Sequence, residues 1–468
     1  MTLARAAALP LALLAGCSMT PRYAAPAVPT AAAYKEAGPW VAATPGDAAP
    51  RGLWWERFAD PVLSDLEGRI ERNSPTLAAA LARRNQAAAL LRRARGGLFP
   101  EIDVDSSAAR ERISGGRPFG GGKAATSNDF VVGGTLSYEV DLWGRVRAQV
   151  AAGRADLQAS AADLAATRLS IQAQLADAYF RLRGLDAELA LLRETVEAYG
   201  RAYDLTATRH DGGIASGLDV NRARTQLATA RAQISDVATE RAATEHGIAV
   251  LVGETPSVFA LAPVGALLDP PASAAQTPSV LLQRRPDIAA AERRVAAANE
   301  RVGVARAALY PSLNLGLSGG YETGAGALFS APNLFWALGG QLLAPIIDGG
   351  RRRADVVNAR AQLDEAAAGY RQIVLDAFRE VEDQLAAVHH LGQEAVDQRD
   401  AVVSAERTSD LALTRYRDGA SDYLEVVTAQ TAALEAERAE LALKVRRLQA
   451  VVDLIRALGG DPTTPISS

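Results

Sequence analysis

Val140-Asp141-Leu142-Trp143-Gly144-Arg145 closes a run of alternating residues and opens a helical one, and Ile347-Asp348-Gly349-Gly350-Arg351 does the same 207 residues later. Two further landmarks recur in the same order. Leu98-Phe99-Pro100 returns as Leu309-Tyr310-Pro311 at an offset of 211, and Leu218-Asp219-Val220 returns as Leu424-Glu425-Val426 at an offset of 206. Ordered landmarks at nearly constant spacing mark an internal duplication, each copy carrying a helix, two strands and a long helical hairpin.

Upstream of Asp141, the apolar residues Phe130, Val132, Leu136, Tyr138 and Val140 alternate with Thr135, Ser137 and Glu139, the period of a strand with one apolar face. The second copy repeats this with Leu313, Leu315 and Leu317, then Leu334, Trp336, Leu338 and Leu342; a less apolar strand is expected from Ile102 to about Arg112. Downstream, Trp143 to about His210 and Arg351 to about Asp418 are proline-free, with Ala, Leu and Ile at helical spacing. Nearly seventy residues at ~1.5 Å each predict a rod on the order of 100 Å. Gly212-Gly213 and Gly419 reverse the chain into returning helices at about 218–252 and 423–458.

The organisation predicted is a signal peptide at 1–16, a tether at 17–52, a first repeat at 53–252 with strands at about 100–141 and a hairpin at about 143–252, and an inter-repeat segment at 253–283 expected to form an outer belt. A second repeat follows at 284–458, with strands at about 311–347 and a hairpin at about 350–458, then a tail at 459–468. Asp60 before Pro61 reads as a helix cap, as do Asp141, Asp348 and, beside Pro286, Asp287. Trp54 and Trp55 read as packing anchors.

Arg5, the apolar run Ala6 to Leu14, and Leu14-Ala15-Gly16-Cys17 form an export signal with a small-residue cleavage region. No stretch reaches the ~20 apolar residues of a spanning helix. Cys17, the one cysteine of the chain, stands directly after Leu-Ala-Gly, which resembles a bacterial lipobox. The resemblance implies a covalent lipid on Cys17 and no free thiol for redox or metal chemistry.

The 50 basic and 54 acidic side chains are interspersed, giving a net charge of −4 and no basic stripe for nucleic acid. Gly115 to Lys123 fails the glycine spacing of a phosphate loop, and Ala124 replaces its Ser or Thr. His210, His246, His389 and His390 accompany no nucleophile motif, and the adjacent pair diverges on a helix, so neither a catalytic nor a metal site is expected. Strands of about ten residues with one apolar face suit a membrane barrel, but four cannot close one. Two, three or four identical copies would satisfy that rule.

Trp54-Trp55 with Phe58-Ala59-Asp60-Pro61, Tyr138 to Arg145, Arg285-Pro286-Asp287-Ile288, Tyr310-Pro311-Ser312-Leu313, Pro345 to Arg353 and Tyr416-Arg417-Asp418-Gly419 stand in the order seen in one family. The chain resembles the TolC/OprM-like outer-membrane efflux factors, in particular their NodT-like lipoprotein branch. The resemblance implies a homotrimer in outer-membrane lipid, a twelve-stranded barrel continuous with a twelve-helix periplasmic tunnel, and contact with a periplasmic adaptor and an inner-membrane pump of the resistance-nodulation-division (RND) type. It implies a gate at the hairpin tips, with Asp219 and Glu425 in acidic positions, Tyr416 as a linking tyrosine, Leu424 as an apolar constriction and Asp422 as a nearby polar residue. Thr428 and Thr431 depart from relatives that carry an Asp and an Arg there, which weakens the acidic ring or shifts it toward Glu425 and Asp422. The alternatives are an exit duct for type I secretion or glycan export and, outside transport, a coiled-coil scaffold of the envelope, which leaves the four strands unexplained. The cargo is not legible, and with Met at positions 1 and 19 only there is no methionine relay for copper.

Overall fold

The computed structural model describes residues 18–28, 35, 52–116, 124–271 and 284–460. The signal peptide, Cys17, most of the tether, the middle of the glycine-rich turn and residues 461–468 lie outside these. The described chain is mainly α-helical with one small antiparallel sheet. Its order is α1 (Pro61–Asn73), α2 (Pro75–Gly96), β1 (Glu101–Ile113), β2 (Ala125–Val140), α3 (Arg145–Asp211), α4 (Gly217–Leu251), α5 (Pro286–Ala307), β3 (Ser312–Thr323), β4 (Leu334–Leu343), α6 (Arg351–Arg417) and α7 (Tyr423–Ala457). Among the described residues no helix is long and apolar enough to cross a membrane. The chain divides into two compact units: residues 1–27, 83–161 and 290–371, and residues 28–82, 162–289 and 372–468.

In the first unit the strands pair in the order β1-β2-β3-β4. The register aligns Ile102 with Leu136, Leu136 with Leu317 and Leu317 with Leu338, so the apolar residues of all four strands share one face. That face is bare: Val104 is 80% and Leu338 73% exposed. β1 and β4 each have one edge with no partner in the sheet.

Where β2 gives way to α3, the Trp143 indole donates to the Pro311 carbonyl at 2.7 Å and its ring lies 4.9 Å from Tyr310. Glu139 grips Arg145, with one bond of 2.7 Å. Asp141 accepts from the backbone N–H groups of Val146 and Arg147 at 3.1 and 2.9 Å, and Asp348 from those of Gly350 and Arg352 at 3.0 and 3.3 Å. The backbone donors of Arg352 and Gly350 hold the Asp348 carboxyl below its ordinary range. The N-terminal segment is tied to α5: Asn299 donates to the Pro21 carbonyl at 2.9 Å, and the Tyr23 hydroxyl donates to Glu292.

The second unit holds the main core. Trp54–Phe58 forms a 3-10 turn that buries Trp54, Trp55 and Phe58, with Phe58 packed 4.7 Å from Phe180 of α3. Ala59 adopts a left-handed φ of 51°, which swings the chain into α1. Asp60 then caps α1, accepting from Val62 and Leu63 N–H at 2.8 and 3.1 Å, while its other oxygen accepts from the Tyr179 hydroxyl at 2.6 Å. Fully buried Asp186 joins Arg183 (3.0 Å) to Arg241 (2.8 Å). These arginines donate to the Ala262 and Leu261 carbonyls, pinning the segment after α4 to α3 and α4.

Asp287 lies inside the first turn of α5, where its carboxylate accepts from the Ile288 N–H at 3.0 Å and also pairs with Arg285 at 2.6 Å. Arg285 in turn reaches Glu380 at 2.7 Å and the Ala457 carbonyl at 3.2 Å, so the motif locks α5 to α6 and α7.

Candidate gate at the hairpin tips

Both hairpin tips belong to the second unit. Each outgoing helix stops at a glycine in the left-handed region, φ 75° at Gly213 and 77° at Gly419, where other residues are strained. The Ile214 N–H reaches back to the Arg209 carbonyl and the Ala420 N–H to the Arg415 carbonyl, both at 2.8 Å, satisfying helix-end acceptors. The returning helices start on caps. Ser216 and Asp219 form a reciprocal capping box, and Asp422 accepts from the Glu425 N–H at 3.1 Å.

These contacts define the candidate gate residues differently. Asp219 is committed within its own tip, accepting from the Ser216 hydroxyl at 2.7 Å and pairing with Arg222 at 3.3 Å. Asp422 is a cap, whereas Glu425 and Leu424 project from the first turn of α7 into solvent. Leu424 is 46% exposed. Thr428 bonds its own helix at the Leu424 carbonyl, 2.8 Å away. Tyr416 is buried, its ring 5.3 Å from that of Tyr423, and its hydroxyl meets that of Thr206 at 3.3 Å.

The link between the tips includes a residue the sequence does not single out. The Arg209 guanidinium stands 4.8 Å above the Tyr416 ring and donates to the Tyr416 carbonyl. Farther along, Tyr423 donates to Gln226 (3.4 Å), Gln226 to Gln430 (3.3 Å), and Tyr199 to the Gln430 carbonyl (3.2 Å). Burial pushes the pKa of the Tyr423 and Tyr199 hydroxyls above their ordinary range, which keeps both protonated as donors. The sole signal for this ladder in the sequence is the recurrence of amide and hydroxyl residues at otherwise apolar helix positions. Beyond it, burial first and then nearby Glu406 push the Glu437 carboxyl of α7 up to about 7, with Glu194 and Glu440 adding to the shift. Among the described residues no group of His, Cys, Asp and Glu could hold a metal ion.

The family model for outer membrane efflux proteins matches residues 67–254 and 277–460. The pyoverdine export outer membrane protein OpmQ of Pseudomonas aeruginosa is 34% identical over 457 residues, covering 96% of this chain and 94% of its own. The antibiotic efflux pump outer membrane protein ArpC of Pseudomonas putida is 32% identical over 451 residues, covering 96% and 93%. The outer-membrane channel OprN superposes with a TM-score of 0.87 at 30% identity over 95% of this chain and all of that one. The chain belongs to the outer membrane efflux protein family. It is an outer-membrane exit channel of a tripartite efflux system, a conduit and not an enzyme.

Proposed function

We propose that three copies of this chain form the conduit, each giving four strands to a twelve-stranded barrel and α3, α4, α6 and α7 to a twelve-helix tunnel. The observation that carries this is the four-stranded sheet with two open edges and a bare apolar face, which neither water nor lipid tolerates unclosed. The barrel sits in the outer membrane, and the tunnel meets a periplasmic adaptor and, through it, an RND-type pump. The chain is of the NodT-like lipoprotein branch, and a lipid on Cys17 holds its N-terminus to the membrane.

The hairpin tips are the gate. Glu425 and Leu424 present a charged and an apolar ring to the passage, while Tyr416 and the cap residues Asp219 and Asp422 hold the tips in register. Adaptor binding moves one hairpin outward and widens the opening.

The test is detergent extraction of the full chain followed by mass measurement and planar-bilayer recording. A trimer with discrete conductance steps is expected, and a non-conducting monomer defeats the proposal. In parallel, Cys17→Ser should abolish labelling by radioactive palmitate; a labelled variant removes the lipid assignment.

A further inference from the structure

The apolar face of the sheet carries two charges, both basic and both on β1. Arg110 and Arg112 share this face with Ile102 and Val104, and they stand beside Asn128 and Thr126 of β2. Glu111, between them in sequence, falls on the opposite face, as do Asp129 of β2 and Glu322 of β3. Among the described residues no acidic side chain of the strands shares the face with the two arginines, and β4 has no charged residue. Ser114 to Ala124, which joins β1 to β2, contains no Asp or Glu either. Both arginines are exposed and have no ion pair among the described residues.

The register fixes their height on the strands. β1 and β2 pair on past the other two: the last row of this face to include β3 holds Ala108, Phe130 and Thr323, and Arg110 and Arg112 stand one and two rows beyond it. From Val140 at the helical end to Phe130, the apolar face runs along β2. That is ~34 Å of strand and ~24 Å of height at a tilt of ~45°, which fills the ~25 Å apolar band of an outer-membrane barrel. Aromatic side chains mark both limits, Tyr138 near the helical end and Phe130, Tyr321 and Phe329 at the hairpin end, where the last two rings lie 5.4 Å apart. Arg110 comes one row later, ~7 Å along the strand and ~5 Å higher, out of the hydrocarbon and among head groups.

We propose that Arg110 and Arg112 form an anion site on the lipid-facing rim of the barrel, binding the phosphate groups of the glycolipid that makes up the outer leaflet. This rests on the reading of the strands as a trimeric barrel whose helices lie in the periplasm, which puts the hairpin end of β1 and β2 at the outer leaflet. The two guanidinium groups stand ~7 Å apart along the strand, carry charge at every working pH, and present planar forks that suit phosphate oxygens. Closure by identical copies sets β4 of the next copy beside β1, and that strand brings no carboxylate to neutralise them. What commits the site to a lipid is the bare apolar face directly beneath it, where Val104 is 80% exposed. Acyl chains cover that face while the phosphorylated head group meets the arginines. Three such sites ring the trimer and fix its height in the leaflet.

The experiment titrates the purified full-length protein in detergent with diphosphoryl lipid A, with lipid A stripped of both phosphates, and with inorganic phosphate as competitor, and counts bound glycolipid by native mass spectrometry. Diphosphoryl lipid A is expected to bind at least about tenfold more tightly than the phosphate-free form. Arg110→Gln with Arg112→Gln should erase that preference and leave the trimer mass and the binding of phosphate-free lipid A unchanged. Replacing both by Lys, which keeps the charge but not the fork, should retain part of the preference. Conducting trimers that bind the two glycolipids equally, or whose preference survives the Gln pair, overturn the site and leave the conduit standing. Displacement of the glycolipid by millimolar inorganic phosphate marks a site for free anions and overturns the assignment to lipid. A non-conducting monomer strikes the conduit itself, before any glycolipid is added.

Discussion

Arg209 in the last turn of α3 and Tyr416 in the last turn of α6 are joined twice, by a guanidinium 4.8 Å above the phenol ring and by a hydrogen bond to the Tyr416 carbonyl. This couples the first tip to the second through residues 207 positions apart. A charged hydrogen bond and a partly desolvated cation–π contact together contribute about 2 kcal/mol. Arg209→Ala should therefore raise the population of separated tips by at least about tenfold, read as more frequent channel opening without adaptor. Arg209→Lys, which keeps the charge but not the planar fork, should fall between. Opening frequencies identical to the unmutated channel would remove this pair from the gate.

Gly253 ends α4 with φ 76°, and a Cβ there would overlap the Asn73 carbonyl oxygen. The left-handed backbone alone costs a non-glycine residue ~1 kcal/mol, and the overlap adds to it. Gly253→Ala should destabilise the second unit by about 2 kcal/mol or more, visible as a lower thermal midpoint in detergent. Gly96→Ala, where nothing stands within 4 Å, is the control and should change little.

Asp60 serves two acceptor roles at once, for the first turn of α1 and for the Tyr179 hydroxyl. Asp60→Ala removes a cap worth ~1 kcal/mol and takes the acceptor from the buried Tyr179 hydroxyl, at ~1 kcal/mol more. Asp60→Asn keeps the capping oxygen and should recover roughly half of the lost stability in the same melting experiment.

Glu437 gives the molecule a pH dependence. Its carboxyl titrates near 4.5 in the unfolded chain and at about 7 when folded, raised by burial and by Glu406. Between those values the folded chain holds a proton that the unfolded chain has lost. Stability therefore declines as pH climbs through this window and levels off above 7. Glu437→Gln should melt higher than the unmutated protein at pH 8 and show little advantage near pH 4.5. An equal gain at both pH values would place the effect outside this titration.

Much of the architecture is legible before folding. Alternation of Phe130, Val132, Leu136 and Tyr138 finds a strand because the side-chain period of two leaves no other way to bury or expose one face. Proline-free, alanine-rich stretches between Trp143 and His210 and between Arg351 and Asp418 give long helices, and single glycines end them. What stays hidden depends on distant partners. The 3-10 turn at Trp54–Phe58 exists because Phe180 and its neighbours receive its rings, and no local propensity announces it. Arg209 looks like any basic residue in a last helical turn until Tyr416 is placed beneath it. Asp287 follows a proline at a helix start, and nothing local announces that Arg285 also pairs with its carboxylate.

The open edges of β1 and β4 also constrain how the protein is made. A lone newly translocated chain would expose unsatisfied backbone alongside Ile102, Val104, Trp336 and Leu338, a template for pairing with any extended polypeptide nearby. In the trimeric barrel proposed above, biogenesis must therefore complete oligomerisation before or during membrane insertion, and an excess of single protomers becomes a proteostatic burden.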